Sequence, residues 1–297
     1  VTVSAEAAGM GGSQVFLDAN SRHKVKDLLK AVIVCSANDA SVALAETVSG
    51  SETVFVDMMN KRAKELGMKN THFSNCTGLP APENFSCAKD VFIMTRELIK
   101  HKMYFDFSKI WLEDYAHPDG RKTTITNTNK LVRFYNGCDG GKTGFTSEAL
   151  YCLSATAKRG NLRVIAVIIG VDNSKTRFAE VSKMLNFAFA NYENKTLLAA
   201  GEAMENSVEV VRGKCDAAKV GAQRNICAFM KRGDEAKWEL KAELPKTVKA
   251  PLCKGDVVGK IYVLKNSVVV DEVPAVLLED VPKATYLDDI KRIIREW

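Results

Sequence analysis

The sequence predicts an α+β protein, in which helices and an antiparallel sheet form a first domain and short strands form a second. Apolar side chains recur at helical spacing early in the chain, as at Val25, Leu28 and Val32. Further on, two apolar runs at 149–157 and 162–171 flank a polar turn and predict a hairpin. From about residue 200 only short strand-like runs remain, which favours a separate all-β domain.

The first domain is predicted to begin with consecutive helices. Apolar spacing predicts one helix over 24–35 and a second over Asp39–Val48, which Gly50 ends. Ser51 is expected to cap a third helix that runs to Leu66, because its hydroxyl can accept a hydrogen bond from an otherwise unpaired backbone N–H. Small residues fill the second of these helices.

The later elements define the domain boundaries. The strand 162–171 is apolar enough to be predicted as the central strand of its sheet. A long helix is predicted over Lys175–Tyr192, with an apolar stripe that indicates core packing. We therefore expect a first domain at 1–197, an all-β domain at 198–283 and an amphipathic helix at 284–297. That last helix could lie on a membrane surface or pack on its own domain.

Composition is typical of soluble globular proteins and narrows the choice of partners. Hydrophobic residues make up 46% of the chain and charged residues 26%, and no apolar run approaches the roughly 18 residues that a transmembrane helix needs. The net charge is +6, but the Lys and Arg residues are scattered, so nucleic acid is not an expected partner. The eight cysteines lack metal-binding spacing, so no metal or other cofactor is expected; a disulfide between Cys215 and Cys227 is conceivable.

Ser36-Ala37-Asn38 is the first motif that could carry chemistry. It lies between two predicted helices, where a hydroxyl and an amide two residues apart can face one cleft. The Ser36 hydroxyl could relay a proton, and the Asn38 amide could hydrogen-bond a substrate amide. Taken alone the pattern is common, and either residue could instead cap a helix.

Lys142-Thr143-Gly144 is the second motif, and it immediately precedes the predicted hairpin. Its position predicts the start of an edge strand. There Lys142 can hold an anionic group, Thr143 can bind a carboxylate, and Gly144 lets a ligand approach the backbone. A phosphate loop is excluded, because Asn136 stands where its first glycine should be and a strand follows instead of a helix.

Together the two motifs resemble the serine acyl-transferases, which include penicillin-binding proteins and class A β-lactamases. More of the chain is similar to the D-alanyl-D-alanine carboxypeptidase branch of the penicillin-binding proteins. The blocks that carry this similarity are Ile33–Ala45, Thr71–Phe73 with Gly78 and Leu79, and Asp139–Thr146. The resemblance covers nearly the whole chain and implies a β-lactamase/transpeptidase-like first domain, followed by the small all-β domain and the amphipathic helix.

The resemblance also implies a role for each matching residue. Ser36 would relay a proton to the leaving amine, Asn38 would orient the peptide, and Lys142 would supply positive potential. Substrate binding would fall to a stretch of strand and one distant arginine, namely Thr143, Gly144, Phe145, Thr146 and Arg177. The backbone N–H of Phe145 would act as an oxyanion donor, a role that needs no particular side chain.

The family's third motif, Ser-x-x-Lys, supplies the nucleophilic serine and its base. It should lie roughly sixty residues before Ser36, but only 35 residues precede that serine. Two strings match the pattern, Ser21–Lys24 just before Ser36 and Ser86–Lys89 downstream of it; neither is expected to be the nucleophile. We therefore expect the motif upstream of Val1 and expect the chain as printed to be inactive by itself.

The leading functional prediction is a serine-type D-Ala-D-Ala carboxypeptidase that acts on peptidoglycan stem peptides and is inhibited by β-lactams. Two alternatives remain, a non-catalytic peptidoglycan-binding module and a β-lactamase. The second is disfavoured, because no Glu-x-x-Asn pairing occurs between Ser36 and Lys142. Asn127-Thr128-Asn129 lacks the basic residue that the family often carries there, so substrate preference could differ. The resemblance implies an extracytoplasmic location in a bacterial envelope, peripheral to the cytoplasmic membrane.

Overall fold

The computed structural model describes residues 1–288 and 290, and the chain divides into two compact units, Val1–Ala190 and Asn191–Trp297. Most of the predicted amphipathic helix 284–297 lies outside the described residues. Within the described part of the chain, no helix has the length and apolar character needed to cross a membrane.

The helices of the first unit include the three consecutive ones that were predicted. In chain order they are α1 (Ala5–Ala8), α2 (Val25–Cys35), α3 (Asn38–Ser49), α4 (Glu52–Glu65), α5 (Ala88–Leu98), α6 (Lys102–Ser108), α7 (Leu131–Phe134) and α8 (Ser174–Asn191). The predictions for α2, α3 and α4 are confirmed. Gly50 ends α3 with a φ of 84°, and the Ser51 hydroxyl accepts a hydrogen bond from the Val54 N–H at the start of α4.

The strands of the first unit form two antiparallel sheets. They are β1 (Leu112–Ala116), β2 (Lys122–Thr126), β3 (Cys138–Thr146), β4 (Leu150–Arg159) and β5 (Leu162–Val171). Among the described residues, β1 pairs with β2, and the larger sheet has the order β3-β4-β5. The hairpin of β4 and β5 is confirmed, and β3 is an edge strand as predicted.

The prediction that 162–171 is the central strand is wrong for the described residues, because β4 lies between β3 and β5. Helix α5 packs against β5 and so buries apolar side chains of this strand. An apolar run indicates that a strand is buried. It does not show whether a packed helix or a central position in the sheet buries the strand.

A buried histidine pair joins the β1–β2 hairpin to the N-terminal part of the unit. The Nδ1 atom of His23 lies 2.8 Å from the Tyr115 hydroxyl, and the Nε2 atom of His117 lies 2.9 Å from the Thr123 hydroxyl. The two imidazole rings meet edge-on, 6.0 Å apart. Burial lowers the pKa of both imidazoles, and repulsion from His117 lowers that of His23 further.

We expect the protein to lose stability as the pH falls through the ordinary histidine pKa of 6.5. Below that value the unfolded chain takes up protons that the folded His23 and His117 resist, so the free energy of unfolding decreases until the lowered pKa values are also passed. Urea unfolding at about pH 7.5 and about pH 5.5 measures the change. The dependence should shrink in His117→Gln but not in His101→Gln, because His101 is exposed; equal dependence in both variants would contradict the assignment.

The second unit contains a series of strands. They are β6 (Tyr192–Leu198), β7 (Ala203–Val211), β8 (Ala217–Ala222), β9 (Ile226–Lys231), β10 (Trp238–Glu243), β11 (Thr247–Lys249), β12 (Val257–Lys265) and β13 (Val268–Leu277). Among the described residues, β6 pairs with β9, and a six-stranded sheet has the order β10-β12-β13-β8-β7-β11. A core that includes Val220, Ile226 and Ile261 lies within this unit, so the prediction of an all-β second domain is confirmed.

The suggested disulfide between Cys215 and Cys227 does not form in this arrangement, and both thiols are free. Cys227 lies on β9 opposite Thr196 of β6, whereas Cys215 lies two residues before β8, which belongs to the other sheet. The suggestion assumed that the two cysteines lie on paired strands, and the strand order shows that they do not.

Candidate active site

Ser36 and Asn38 lie at the short connection between α2 and α3. Ser36 ends α2 in the left-handed region, with φ 64° and ψ 38°, and its N–H donates to the Val32 carbonyl at 3.2 Å. A residue with a Cβ atom adopts this conformation infrequently, and it is often found where function requires it. Ala37 then returns to an extended conformation, and α3 begins at Asn38. The predicted position of the motif between two helices is confirmed.

The Asn38 side chain is 6% exposed and is held from one side. Its Nδ2 atom donates to the Gly11 carbonyl at 2.8 Å, and its backbone N–H donates to the Ser13 carbonyl at 2.8 Å. Among the described residues, no partner is found for its Oδ1 atom or for the Ser36 hydroxyl. These groups are therefore available to a substrate, which suits an amide that accepts from a peptide N–H and a hydroxyl that relays a proton.

The strand β3 carries Lys142 just after a bulge. Its register with β4 shifts between Cys138 and Gly140, and Gly141 has a φ of 128°. The hydroxyl of Tyr104, on α6, accepts a hydrogen bond from the Gly141 N–H at 2.8 Å. A bulge redirects the side chains that follow it, and the Tyr104 hydroxyl holds the backbone directly before Lys142.

The turn Asn127–Asn129 ties α2 to β3. The Thr128 N–H donates to the Val34 carbonyl at 3.1 Å, and the Asn129 Nδ2 atom donates to the Gly140 carbonyl at 3.1 Å. The end of α2 that leads into Ser36 is therefore joined through one turn to the part of β3 that leads into Lys142. Sequence reasoning noted this turn only for the basic residue that it lacks, and it missed the structural contacts of Thr128 and Asn129.

Lys142 has an unusual electrostatic environment. Its side chain keeps exposed surface, yet the atoms packed around the ammonium group exclude enough water that burial lowers its pKa to about 8. The Cys35 thiol opposes this shift, and the positive charge of Arg177 adds to it. Both interactions indicate that Lys142 lies near Arg177 and near the residue that precedes Ser36. Cys35 is not a substitute nucleophile, because burial raises the pKa of its thiol to about 11.

Arg177 lies beneath the far end of β3 and is 7% exposed. Its Nη1 atom donates to the carbonyls of Gly144 and Cys152 at 3.1 and 3.2 Å, and its guanidinium lies 4.7 Å from the centre of the Phe178 ring. Its buried Nε atom has no partner among the described residues. Arg177 therefore holds the backbone of the strand that was predicted to bind the substrate.

The residues that follow Lys142 line the free edge of the sheet. Thr143 pairs with Leu153 of β4, and the exposed Phe145 ring packs on Tyr151 with 4.4 Å between centres. The Thr146 hydroxyl accepts from the Ala149 N–H at 2.9 Å, so one of its lone pairs already serves the turn. Among the predicted substrate-binding residues, Arg177 and Thr146 thus also have structural contacts of their own.

The two Ser-x-x-Lys strings lie at the starts of α2 and α5, outside the Ser36–Asn38 junction and the Lys142 strand. Ser21–Lys24 precedes α2, whereas Ser36 ends it, and a helix of 11 residues spans about 16 Å. The Ser86 hydroxyl is 2.9 Å from the Thr71 hydroxyl, ahead of α5. That neither string is catalytic stays a prediction.

Comparison with known proteins assigns both units. Residues 1–173 match the family described as D-alanyl-D-alanine carboxypeptidase, and residues 192–283 match the family described as penicillin-binding protein 5, C-terminal domain. The D-alanyl-D-alanine carboxypeptidase DacF of Bacillus subtilis is 42% identical, with 100% of this chain and 76% of the relative covered. DacA of Haemophilus influenzae is 36% identical, with 88% of this chain and 67% of the relative covered.

Solved structures agree with these matches. Penicillin-binding protein 5 from Haemophilus influenzae aligns with a TM-score of 0.67 at 33% identity. The alignment covers 95% of this chain and 83% of the Haemophilus chain. The peptidoglycan synthesis regulatory factor PBP3 from Streptococcus pneumoniae has a TM-score of 0.76 at 26% identity, with 95% and 85% covered. The chain therefore belongs to the D-alanyl-D-alanine carboxypeptidase family, and the predicted transpeptidase-like fold with an all-β second domain is confirmed.

Proposed function

We propose that the protein removes the terminal D-Ala from peptidoglycan stem peptides through an acyl-enzyme, as a serine-type D-Ala-D-Ala carboxypeptidase. The observation that carries the proposal is the turn Asn127–Asn129, which joins the end of α2 to β3. Through this turn the Ser36-Ala37-Asn38 junction and the Lys142-Thr143-Gly144 strand belong to one site. Membership of the carboxypeptidase family supplies the reaction.

In this reaction the serine of the family's Ser-x-x-Lys motif adds to the carbonyl carbon of the penultimate D-Ala. The bond from that carbon to the nitrogen of the terminal D-Ala then breaks, and the proton lost by the serine passes through the Ser36 hydroxyl to the departing amine. Water adds to the resulting ester and releases the shortened peptide. Asn38 orients the peptide through its free Oδ1 atom.

The carboxylate of the terminal D-Ala is bound by the β3 side of the site. Lys142 supplies a positive charge, and Thr143 and Thr146 supply hydroxyl donors. The buried Arg177 adds a second positive charge and holds the Gly144 carbonyl. The Phe145 N–H stabilises the oxyanion that forms during attack. The same groups would hold the carboxylate of a β-lactam.

We further propose that the protein works outside the cytoplasm at the cell wall, where peptidoglycan is found. Relatives with this fold act as D-alanyl-D-alanine carboxypeptidases, which supports the location. Contact with the membrane surface through the predicted C-terminal helix 284–297 is part of the same proposal, and vesicle binding before and after removal of that segment tests it.

Full-length protein should form a covalent adduct with a fluorescent penicillin and release D-Ala from a stem pentapeptide. Both products follow from one acyl-enzyme, so a denaturing gel and an enzymatic D-Ala assay measure them on the same preparation. A matched preparation of residues 1–297 tests the expectation that these residues alone are inactive. Binding of wall peptide without an adduct or D-Ala release would instead favour the peptidoglycan-binding module, and absence of the adduct would sink the proposed mechanism.

A further inference from the structure

A fully buried carboxylate follows the Ser36–Asn38 junction. Asp39 lies in the first turn of α3 and is 0% exposed. A carboxylate can be buried only when hydrogen bonds or charges replace the water that it loses. Its Oδ1 atom accepts from the Ala40 N–H at 2.9 Å, at the end of the helix where the aligned peptide dipoles favour negative charge.

The remaining hydrogen bonds of Asp39 reach a distant part of the chain. The Leu17 N–H donates to Oδ2 at 3.0 Å, and the Val15 N–H donates to both oxygens at 3.2 and 3.3 Å. These two residues flank Phe16, which has a φ of 62° although its side chain is 58% exposed. The apolar side chain of Phe16 therefore contributes little packing, and the carboxylate of Asp39 holds the unusual backbone in place.

The same stretch, which we call the 11–17 segment, also holds Asn38. Asn38 donates to the Gly11 carbonyl from Nδ2 and to the Ser13 carbonyl from its backbone N–H. Gly12 has a φ of 79°, and a Cβ atom there would lie 2.7 Å from the Asn38 Nδ2 atom. The position of the Asn38 amide thus depends on where the 11–17 segment lies.

We propose that Asp39 is a positioning residue of the carboxypeptidase site, an inference that rests on the proposed function. It holds the 11–17 segment against the start of α3, and this segment fixes the amide of Asn38 beside the hydroxyl of Ser36. Asp39 is buried and does not touch the substrate, so it acts through Asn38. Loss of the hydrogen bonds to Asp39 misplaces the Asn38 amide, which orients the scissile bond, and so slows acylation.

Two substitutions are expected to weaken the contact between the 11–17 segment and the start of α3, one from each side. Asp39→Asn keeps the size of the side chain but turns one accepting oxygen into an NH₂ group that faces a backbone N–H. Gly12→Ala pushes on the Asn38 amide from within the 11–17 segment. The matched control is Asp57→Asn, at an exposed carboxylate on α4.

Time-resolved labelling of the full-length protein with a fluorescent penicillin gives two separate readouts. The final amplitude counts the molecules with a competent site, and the rate constant reports how well each site reacts. We expect Asp39→Asn and Gly12→Ala to reach the wild-type amplitude with a rate constant at least about tenfold lower. The double variant should lose less than the product of the two effects, because both act on one contact. The Asp57→Asn control should label like the wild type.

A purely structural role for Asp39 would give a lower amplitude with an unchanged rate constant, and this result overturns the inference. Wild-type amplitude and rate in both variants overturn it as well. The wild-type protein reports separately on the proposed function. If it neither forms the adduct nor releases D-Ala, the proposed function fails and the inference falls with it; if it does both while the variants match it, only the inference fails.

Discussion

The Gly141→Ala substitution is expected to lower the free energy of unfolding by about 4 kcal/mol, the combined cost of a disallowed backbone and an overpacked contact. Gly141 has a φ of 128°, and a Cβ atom there would lie 2.1 Å from the Ser154 carbonyl oxygen and 2.7 Å from the Ala155 Cα atom. Both are backbone atoms of the central strand, so they cannot move aside without breaking the pairing of β3 and β4. Urea unfolding followed by circular dichroism measures the loss.

The Gly144→Ala substitution is the matched control on the same strand. A Cβ atom at Gly144 would meet only the Cys152 Cβ atom, at an ordinary contact distance of 3.7 Å, so the unfolding midpoint should stay close to that of the wild type. A midpoint for Gly141→Ala that matches the wild type would contradict the geometric argument. Equal losses at both positions would show instead that β3 tolerates no added side chain, whatever its local geometry.

Activity should be lost in Gly141→Ala even in the fraction that stays folded. The Gly141 N–H donates to the Tyr104 hydroxyl, and this contact holds the backbone directly before Lys142. A displaced backbone at Gly141 therefore moves the Lys142 ammonium group away from the substrate carboxylate. Stability and catalysis are expected to depend on the same glycine, because the edge strand β3 both pairs with β4 and carries Lys142.

The local elements of the first unit were predictable, because their signals lie within a few neighbouring residues. Helices α3 and α4 meet at Gly50 and Ser51, and both residues act as their types suggest. The central position given to 162–171 was wrong, since the sequence does not reveal that α5 covers that strand. The β1–β2 hairpin was not predicted either; its buried anchors include Tyr115, which bonds to His23, 92 residues earlier in the chain.

The residues of the candidate site also divide into those that local sequence predicts and those that it does not. Ser36, Asn38 and Lys142 could be chosen from their motifs, since each motif is contiguous. Asp39 could not, because an acid in the first turn of a helix usually faces solvent and favours the helix dipole. Its burial arises from contacts with Val15 and Leu17, more than twenty residues earlier in the chain, and no local pattern encodes such a contact.

The positive charge of Lys142 lowers the stability of the folded protein. Burial and the nearby positive charge of Arg177 lower its pKa from the ordinary 10.5 to about 8. Between these two values the unfolded chain binds the proton more readily than the folded one, so this residue makes stability rise with pH there. At neutral pH both states carry the charge and the destabilisation is present in full. Such a cost is typical of a site where a charge is kept for a ligand.

Lys142→Met should therefore make the protein more stable and less active. The melting temperature at pH 7 should rise, and kcat/KM for D-Ala release should fall by about 10²-fold, the usual effect of removing one group that stabilises a bound anion. In the wild type, kcat/KM should also fall as the pH rises through about 8, because Lys142 loses its proton there. Lys142→Arg should keep its charge and retain activity to higher pH. An alkaline limb that stays at the same pH in Lys142→Arg would assign the titration to another group, and a lower melting temperature in Lys142→Met would contradict the electrostatic cost.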